Sequence, residues 1–190
     1  MPIFDHFDFL APLYDTFIPA QDPEDLWRLA ALPADGALLD AGGGTGRAAQ
    51  HMLGKAQPVV VADLSYKMLT EARRKDGLRP VCSPTEQLPF GNETFARIIM
   101  VDALHHVLDQ QQTINELWRV LRPGGRLVIE EPDIRTLAVK LIALAEKLAL
   151  MRSHFLAPGQ IAALFHFPNA RVQVEAKNHA AWVVAEKILT

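Results

Sequence analysis

Four glycines and an aspartate lie close together in the segment LLDAGGGTGR, residues 38–47. Glycine lets a backbone approach a ligand closely and adopt positive φ angles without a Cβ clash. We expect a helix to begin directly after these glycines, and the free N–H groups at its start would favour negative charge. The pattern therefore predicts a ligand-binding loop. Its glycines are Gly42, Gly43, Gly44 and Gly46.

Two classes of ligand use a loop of this kind. The dinucleotide pattern G-x-G-x-x-G/A fits poorly, because a match that starts at Gly42 meets Arg47 where a small residue is needed. A carboxylate beside the loop disfavours a diphosphate and suits a ligand that carries an ammonium or a sulfonium. The simpler alternative is that Asp40 only caps the helix or braces the loop. The second pattern, D-x-G-x-G-x-G, is filled by Asp40, Gly42, Gly44 and Gly46.

A second acid, Asp63, lies seventeen residues after Gly46, at the end of an apolar run. An acid at about this distance, at the tip of the next strand, can accept both hydroxyls of an adenosine ribose. Taken alone, Asp63 could equally be a solvated residue at a strand end. The loop and the acid together favour a ligand that contains adenosine.

Short apolar runs alternate with helical patterns along the chain, as in a buried parallel sheet with crossover helices. The predicted strands are 37–41, 58–63, 79–83, 96–102 and 125–131, and the predicted helices are about 46–54, 65–75, 110–121, 133–151 and 158–166. The last two strands, 170–176 and 180–187, are joined by three residues, which permits an antiparallel hairpin but no crossover. The fold class is therefore α/β, a doubly wound, Rossmann-like, mostly parallel seven-stranded sheet with a C-terminal antiparallel hairpin.

The composition excludes several classes of protein. The 190 residues are 49% apolar and 22% charged, as in one ordinary globular domain. A formal net charge of −3 argues against a nucleic-acid partner. The N-terminus carries Asp5 and Asp8 where a signal peptide would be basic and then apolar, and charged residues interrupt the most apolar segment, 137–151. With Cys82 as the one cysteine, we expect a cytoplasmic protein without a disulfide, a zinc site or a transmembrane segment.

Six motifs in order resemble the class I S-adenosylmethionine-dependent methyltransferases, most closely the branch of the ubiquinone/menaquinone-biosynthesis C-methyltransferases (methyltransferase type 11). They are PLYDTF, LLDAGGGTGR, VVADLSYKML, EQLPF, IIMVDALHHV and RVLRPGGRLVIEEPD. The resemblance extends from about Tyr14 to Glu131 and continues into the terminal hairpin, which separates this fold from nucleotide-linked dehydrogenases. It implies S-adenosyl-L-methionine as cofactor and S-adenosyl-L-homocysteine as product. It also implies one methyltransferase domain over 1–190, with a helical cap over 1–35, a cofactor-binding core over 36–131, and substrate-side helices with the hairpin over 132–190.

The resemblance assigns cofactor contacts position by position. The loop glycines would pass under the methionine portion while Asp40 steers its ammonium. Asp102 and Ala103 would contact the same portion, and Tyr14 would lie over its carboxylate end or face the sulfonium. The full set of implied contacts is Tyr14, Asp40, Ala41, Gly42, Gly44, Gly46, Asp63, Leu64, Met68, Thr85, Glu86, Asp102 and Ala103.

On the adenosine side, Asp63 would take the ribose hydroxyls, with Leu64 beside the adenine and Met68 in its apolar floor. The family pattern D-A-E-x-L-P-F places an acid near the adenine amino group, but this chain has Pro84 there. Thr85 can still offer a backbone N–H to the adenine.

Methyl transfer from a sulfonium is an in-line displacement that depends on alignment and on exclusion of water, and it requires no metal. His105 and His106 are candidate bases for an oxygen or acidic-carbon acceptor, although packing at a helix start would also explain them. Aromatic residues near the N-terminus and an apolar helix after the fifth strand could line a pocket, or could simply be core. We expect a small acceptor that is apolar or aromatic. Alternatively, a second chain completes the acceptor pocket in a homodimer.

Three functions follow from the sequence. The first is methylation of a small molecule without metal. The second is a non-catalytic, methyltransferase-like cofactor-binding partner or scaffold, an alternative that Pro84 keeps open. The third is a nicotinamide oxidoreductase.

Overall fold

Seven strands form one sheet in the computed structural model, which describes residues 23–148 and 153–189. They are β1 (Leu38–Ala41), β2 (Val59–Asp63), β3 (Leu78–Cys82), β4 (Phe95–Val101), β5 (Leu121–Pro132), β6 (Ala170–Lys177) and β7 (Ala180–Lys187). Their order across the sheet is β3-β2-β1-β4-β5-β7-β6. Strands β1 to β5 pair in parallel, and β7 is antiparallel to both of its neighbours, β5 and β6. This topology confirms the predicted fold class.

Helices pack on both faces of this sheet. They are α1 (Glu24–Leu29), α2 (Tyr66–Arg73), α3 (Gln110–Val120), α4 (Leu137–Leu148) and α5 (Pro158–Ala162). The side chains of Ser65 and Asp109 cap α2 and α3 by accepting hydrogen bonds from the backbone N–H groups of Met68 and Gln112. No helix of the described ranges is long and apolar enough to cross a membrane.

The helix predicted over 46–54 was wrong in length. The structure has turns after the glycines and then only a short 3-10 helix, Ala49–Met52. Gly46 has a φ of +72° and donates its N–H to the Gly43 carbonyl in a turn, and Gly54, at +76°, follows the short helix. Left-handed glycines at positions 46 and 54 confine any helix to the residues between them, of which Ala49–Met52 form one.

Apolar residues on the two faces of the sheet form two core clusters. Leu39 belongs to the cluster that contains Trp118 of α3, and its neighbour Leu38 belongs to the cluster that contains Leu26 of α1. The carboxyl ends of β1, β2, β4 and β5 meet at one edge, and the strand order changes direction between β1 and β4. Ligands of open α/β sheets bind at such an edge, and the sequence places the predicted site residues there.

Candidate functional site

The glycine loop lies over the carboxyl ends of β1 and β2. Gly42, Gly44 and Gly46 have φ angles of +69°, +53° and +72°, a region that favours glycine. Gly43 is needed for a different reason. A Cβ atom there would lie 2.5 Å from Cγ of Asp40, which is closer than packed atoms can approach.

Asp63 ties this loop to the start of α2. One carboxylate oxygen accepts the N–H of Gly44 at 2.8 Å, and the other accepts the N–H of Ser65 at 2.7 Å. Leu64, the next residue, is 68% exposed, whereas Met68 is buried and lies under Gly44. The structure therefore brings together three of the residues that the resemblance assigns to the adenosine side.

Asp40 is fully buried beneath the loop. Neither of its carboxyl oxygens makes a hydrogen bond of good geometry among the described residues, although the backbone N–H of Ala49 lies close enough to favour the charged form. Burial raises the pKa of Asp40 to about 7, and the charge of Arg47 opposes that rise. Its side chain therefore faces the core below Gly43, so any influence on a ligand amine would act through the loop backbone.

At the end of β4, Asp102 pairs with Arg47 at 3.1 Å between Oδ2 and Nη2. The backbone of Asp102 is left-handed, with a φ of +51°. Burial raises the pKa of Asp102, and the adjacent Arg47 charge counteracts the rise. Ala103 packs against Gly42, where a Cβ atom would lie 2.7 Å from that of Ala103. Ala41 is wholly buried in β1 and presents no side chain to this edge.

A buried carboxylate that sequence reasoning missed, Glu131, holds the turn after Asp102. Its Oε1 accepts the N–H groups of Ala103 and Leu104 at 3.0 and 2.7 Å. Its Oε2 lies 2.5 Å from Nδ1 of His105, whose ring stacks on Phe155 at 4.2 Å between centroids. His105 is thus packed and paired in the core.

His106, the other candidate base, stacks against His105 with 3.9 Å between ring centroids. Burial and the neighbouring His105 charge lower the pKa of His106 to about 3. Its ring is therefore neutral near pH 7 and binds a proton too weakly to serve as an effective base.

In the segment around Pro84, the side chain of Glu86 contacts the protein rather than lying free for the cofactor that the resemblance assigns to it. Glu86 accepts the N–H groups of Leu108 and Asp109 at 3.0 and 3.3 Å, so its carboxylate braces the start of α3. The hydroxyl of Thr85 lies 3.1 Å from that of Thr113. The Thr85 backbone N–H has no acceptor among the described residues, and Thr85 itself is buried. Tyr14 lies outside the described residues.

A second residue that sequence reasoning missed is Glu130, at the end of β5. It is buried, and its Oε2 accepts the indole N–H of Trp182 at 2.7 Å. Burial raises the pKa of Glu130 to about 7. The sequence signal that could have found Glu130 and Glu131 is that two acids follow each other at the end of an apolar strand.

Exposed apolar side chains follow the carboxyl ends of β2, β4 and β5. On α4, three leucines at helical spacing are 53–73% exposed. Such a concentration on one side of a domain is typical of a surface that binds an apolar ligand or another surface. The exposed residues are Leu64, Tyr66, Leu108, Leu137, Leu141 and Leu144.

Comparison with known proteins is consistent with this geometry. A family model described as "Methyltransferase domain" matches residues 39–129. A demethylmenaquinone methyltransferase of Mycolicibacterium vanbaalenii is 31% identical over 183 residues, covering 93% of this chain and 77% of that protein. A ubiquinone/menaquinone biosynthesis C-methyltransferase of Hahella chejuensis is 31% identical over 142 residues, covering 66% of this chain and 57% of that protein. The chain spans little more than half the length of several such relatives, 55–57%.

Solved structures agree with the fold. A putative methyltransferase in complex with the Haloferax volcanii Trm112 methyltransferase activator has a TM-score of 0.81 at 16% identity, covering 98% of this chain and all of that one. DhpI, solved as a complex with SAH, has a TM-score of 0.71 at 21% identity, covering 96% of this chain and 94% of that one.

Proposed function

The chain belongs to the class I S-adenosylmethionine-dependent methyltransferases, in the ubiquinone/menaquinone-biosynthesis branch, and we propose that it methylates a small, apolar or aromatic acceptor. When bound, the cofactor of this family supplies a methyl group on a positively charged sulfur. In the proposed reaction, this chain orients the acceptor and excludes water, without a metal.

The observation that carries the cofactor part of this proposal is the position of Asp63. Its carboxylate is held at the tip of β2 by the N–H groups of Gly44 and Ser65. A carboxylate oxygen can accept more than one hydrogen bond, and a group held in this position is suited to accept hydroxyls of an adenosine ribose while it fixes the loop.

Charge at this edge supports a cationic ligand over a diphosphate. The carboxylate of Asp63 lies against the loop, whereas Asp102 is paired with Arg47 and the Lys75 ammonium donates to the Thr45 carbonyl. A sulfonium or an ammonium beside Asp63 would be stabilised, and a phosphate charge placed there would be repelled. Asp40 lies sealed below Gly43 and does not contribute to this effect.

The apolar part of the proposal is supported by α4. Leu137, Leu141 and Leu144 lie on one side of this helix and are largely exposed. Relatives of this chain are named for demethylmenaquinone and for a phytyl-1,4-hydroquinone, both of which carry a long apolar chain. An acceptor of that kind would bury this leucine surface. A homodimer could bury it instead, which sedimentation of the purified protein would detect.

Calorimetry tests the cofactor, and a methyl-transfer assay then tests the acceptor. S-adenosylhomocysteine should bind and NADH should not; tight binding of NADH alone would contradict the cofactor. Labelled methyl transfer to a short-chain demethylmenaquinone, reduced to its hydroquinone, then tests the acceptor. The same assay on lipid, RNA and protein fractions shows whether another class of acceptor is used.

Asp63→Asn provides the matched test of the site. The amide replaces one acceptor oxygen by a donor that faces a backbone N–H, so S-adenosylhomocysteine should bind roughly 10-fold more weakly or worse. Asp76→Asn, at an exposed position, should bind it as the unmodified protein does. Methyl transfer should fall with cofactor affinity. A biological role that persists in Asp63→Asn, without methyl transfer, would favour the scaffold alternative.

A further inference from the structure

Methylation of a hydroxyl or of a phenol-activated carbon is helped by a base, and the histidines predicted for that role are poorly suited to it. His105 is engaged by Glu131 and Phe155, and the lowered pKa of His106 leaves it a weak base. A general base works best when its pKa lies near the working pH. A base on this chain must therefore be sought elsewhere along the same edge.

Glu130 lies at that edge, beside the end of β4. Its backbone carbonyl accepts the N–H of Asp102 at 2.9 Å, and its residue partner in the parallel ladder is Val101. The Trp182 indole fixes Oε2 at 2.7 Å. The other oxygen, Oε1, is buried and has no hydrogen-bond partner among the described residues.

A cavity of about 10 Å³ adjoins Glu130, on the side of the sheet that carries α1. Such a volume holds about one water and excludes any organic acceptor. The buried Nε2 of His51 also lacks a partner among the described residues, so two unsatisfied polar atoms belong to residues that line this one small space. The cavity has room for one water that could bind such an atom. The lining includes Pro23, Leu26, Arg47, His51, Val101 and Glu130.

We propose that Glu130 is the general base of the methyl transfer and receives the proton of the acceptor through one water held in this cavity. This assignment rests on the proposed function, because it requires an acceptor that loses a proton. Asp40 has a similar pKa but is sealed beneath Gly43, with no exposed surface.

The proton transfer is balanced within the groups named. The O–H bond of the acceptor breaks, its proton passes to the water, and a proton of that water passes to Oε1. On a hydroxyl acceptor, the electron pair left on oxygen forms the new bond to the methyl carbon. On an activated ring carbon, the phenolate pair is delocalised to that carbon and forms the new bond there. The C–H bond of that carbon then breaks, its electron pair restores the aromatic ring, its proton leaves to water, and the oxygen takes up a proton again. The pair of the broken carbon–sulfur bond remains on sulfur, so the released cofactor product is neutral at that atom. Glu130 then returns its proton to solvent.

Charged and titratable groups around Glu130 set its proton affinity. Burial raises the pKa to about 7, the Trp182 hydrogen bond lowers it, and Asp102 of the adjoining turn raises it. Arg47 lowers it and Asp25 of α1 raises it further, while His51 faces the same cavity. The base is therefore protonated in acid and becomes competent as the pH rises through about 7.

Glu130→Gln separates this role from a structural one, because glutamine can still accept the Trp182 hydrogen bond. With the reduced short-chain demethylmenaquinone as acceptor, kcat should fall roughly 100-fold or more. The acid limb of the kcat/KM profile near pH 7 should disappear, while S-adenosylhomocysteine binds as before. In protein carrying ¹³C-labelled glutamate, one carboxyl resonance that titrates near pH 7 should be missing from this variant.

A second variant, Trp182→Phe, tests whether the pKa of Glu130 sets the pH dependence of the reaction. Loss of the indole donor destabilises the ionised carboxylate, so the acid limb and the same carboxyl resonance should both move to higher pH. Glu71→Gln, at the surface, should change neither. The base assignment is overturned if Glu130→Gln keeps the rate or the limb, or if no glutamate resonance titrates near pH 7. An unmodified protein that binds the cofactor product yet methylates no hydroquinone at any pH would overturn the acceptor proposal, and the base assignment with it.

Discussion

Asp40→Asn should make the protein more stable near neutral pH, and increasingly so as the pH rises. Asp40 is wholly buried, its oxygens lack partners among the described residues, and burial raises its pKa to about 7. An unfolded aspartate has a pKa of about 3.9. The native state therefore holds this proton more tightly than the unfolded state, and stability is lost as the pH rises from about 4 to about 7.

Linkage converts these two pKa values into free energies of unfolding. Compared with a residue that does not titrate, Asp40 lowers the free energy of unfolding by between about 1 and 2 kcal/mol at pH 5 and by about 4 kcal/mol at pH 8. Asparagine has nearly the same shape and no such titration. The free energy of unfolding of Asp40→Asn, minus that of the unmodified protein, should thus grow by about 2 to 3 kcal/mol between pH 5 and pH 8.

Urea unfolding followed by circular dichroism at pH 5, 6, 7 and 8 measures this difference. Glu130 and Asp102 also have raised pKa values, but both are present in the two proteins, so their contributions cancel in the comparison. Asp76→Asn, at the surface, should show a difference that does not change with pH. A pH-independent difference for Asp40→Asn as well would refute the argument that burial keeps the Asp40 carboxyl protonated.

Two further substitutions test the packing of the same edge. Gly43→Ala would place a Cβ atom 2.5 Å from Cγ of Asp40, so it should lower the free energy of unfolding by about 1–3 kcal/mol and weaken S-adenosylhomocysteine binding. Gly91→Ala, whose nearest contact would be 3.7 Å, should change both little, and equal effects of the two would contradict the steric argument. Glu131→Gln removes a buried charge that three donors share, and urea unfolding should show a loss of about 3 kcal/mol. Glu71→Gln breaks an exposed pair with Arg74 and should cost less than about 1 kcal/mol; a similar loss in both would rule out a special role for the buried carboxylate.

The fold could be predicted from sequence because its signals are local. Apolar runs and the short link before the last strand, predicted as three residues and two in the structure, each lie within a few residues of the feature they determine. The loop and Asp63 were predicted for the same reason, since the spacing between them is set by one strand–turn–strand unit. The length of the helix predicted over 46–54 could not be predicted from the sequence, because it depends on the φ angles that Gly46 and Gly54 adopt.

The roles of individual acids depended on contacts between distant parts of the chain. The motif that placed Glu86 near the adenine carries no sign that its carboxylate braces Leu108 and Asp109. Likewise, 52 residues separate Glu130 from Trp182, and the sequence pattern of β5 does not predict that pair. Whether Asp40 faces a ligand or the core depends on how closely Gly43 covers it, which a motif does not state.

The carboxyl groups of this edge divide into two kinds by what satisfies them. Asp63 and Glu131 accept backbone N–H groups, so their charges are stabilised locally and they shape the loop and the turn after β4. Asp40 and Glu130 keep unpartnered oxygens among the described residues and have pKa values near 7. In the strand order, Asp63 of β2 and Glu130 of β5 flank the central pair β1 and β4. A cofactor held from the β2 side and an acceptor deprotonated from the β5 side would meet over that central pair, where the strand order changes direction and Asp102 pairs with Arg47.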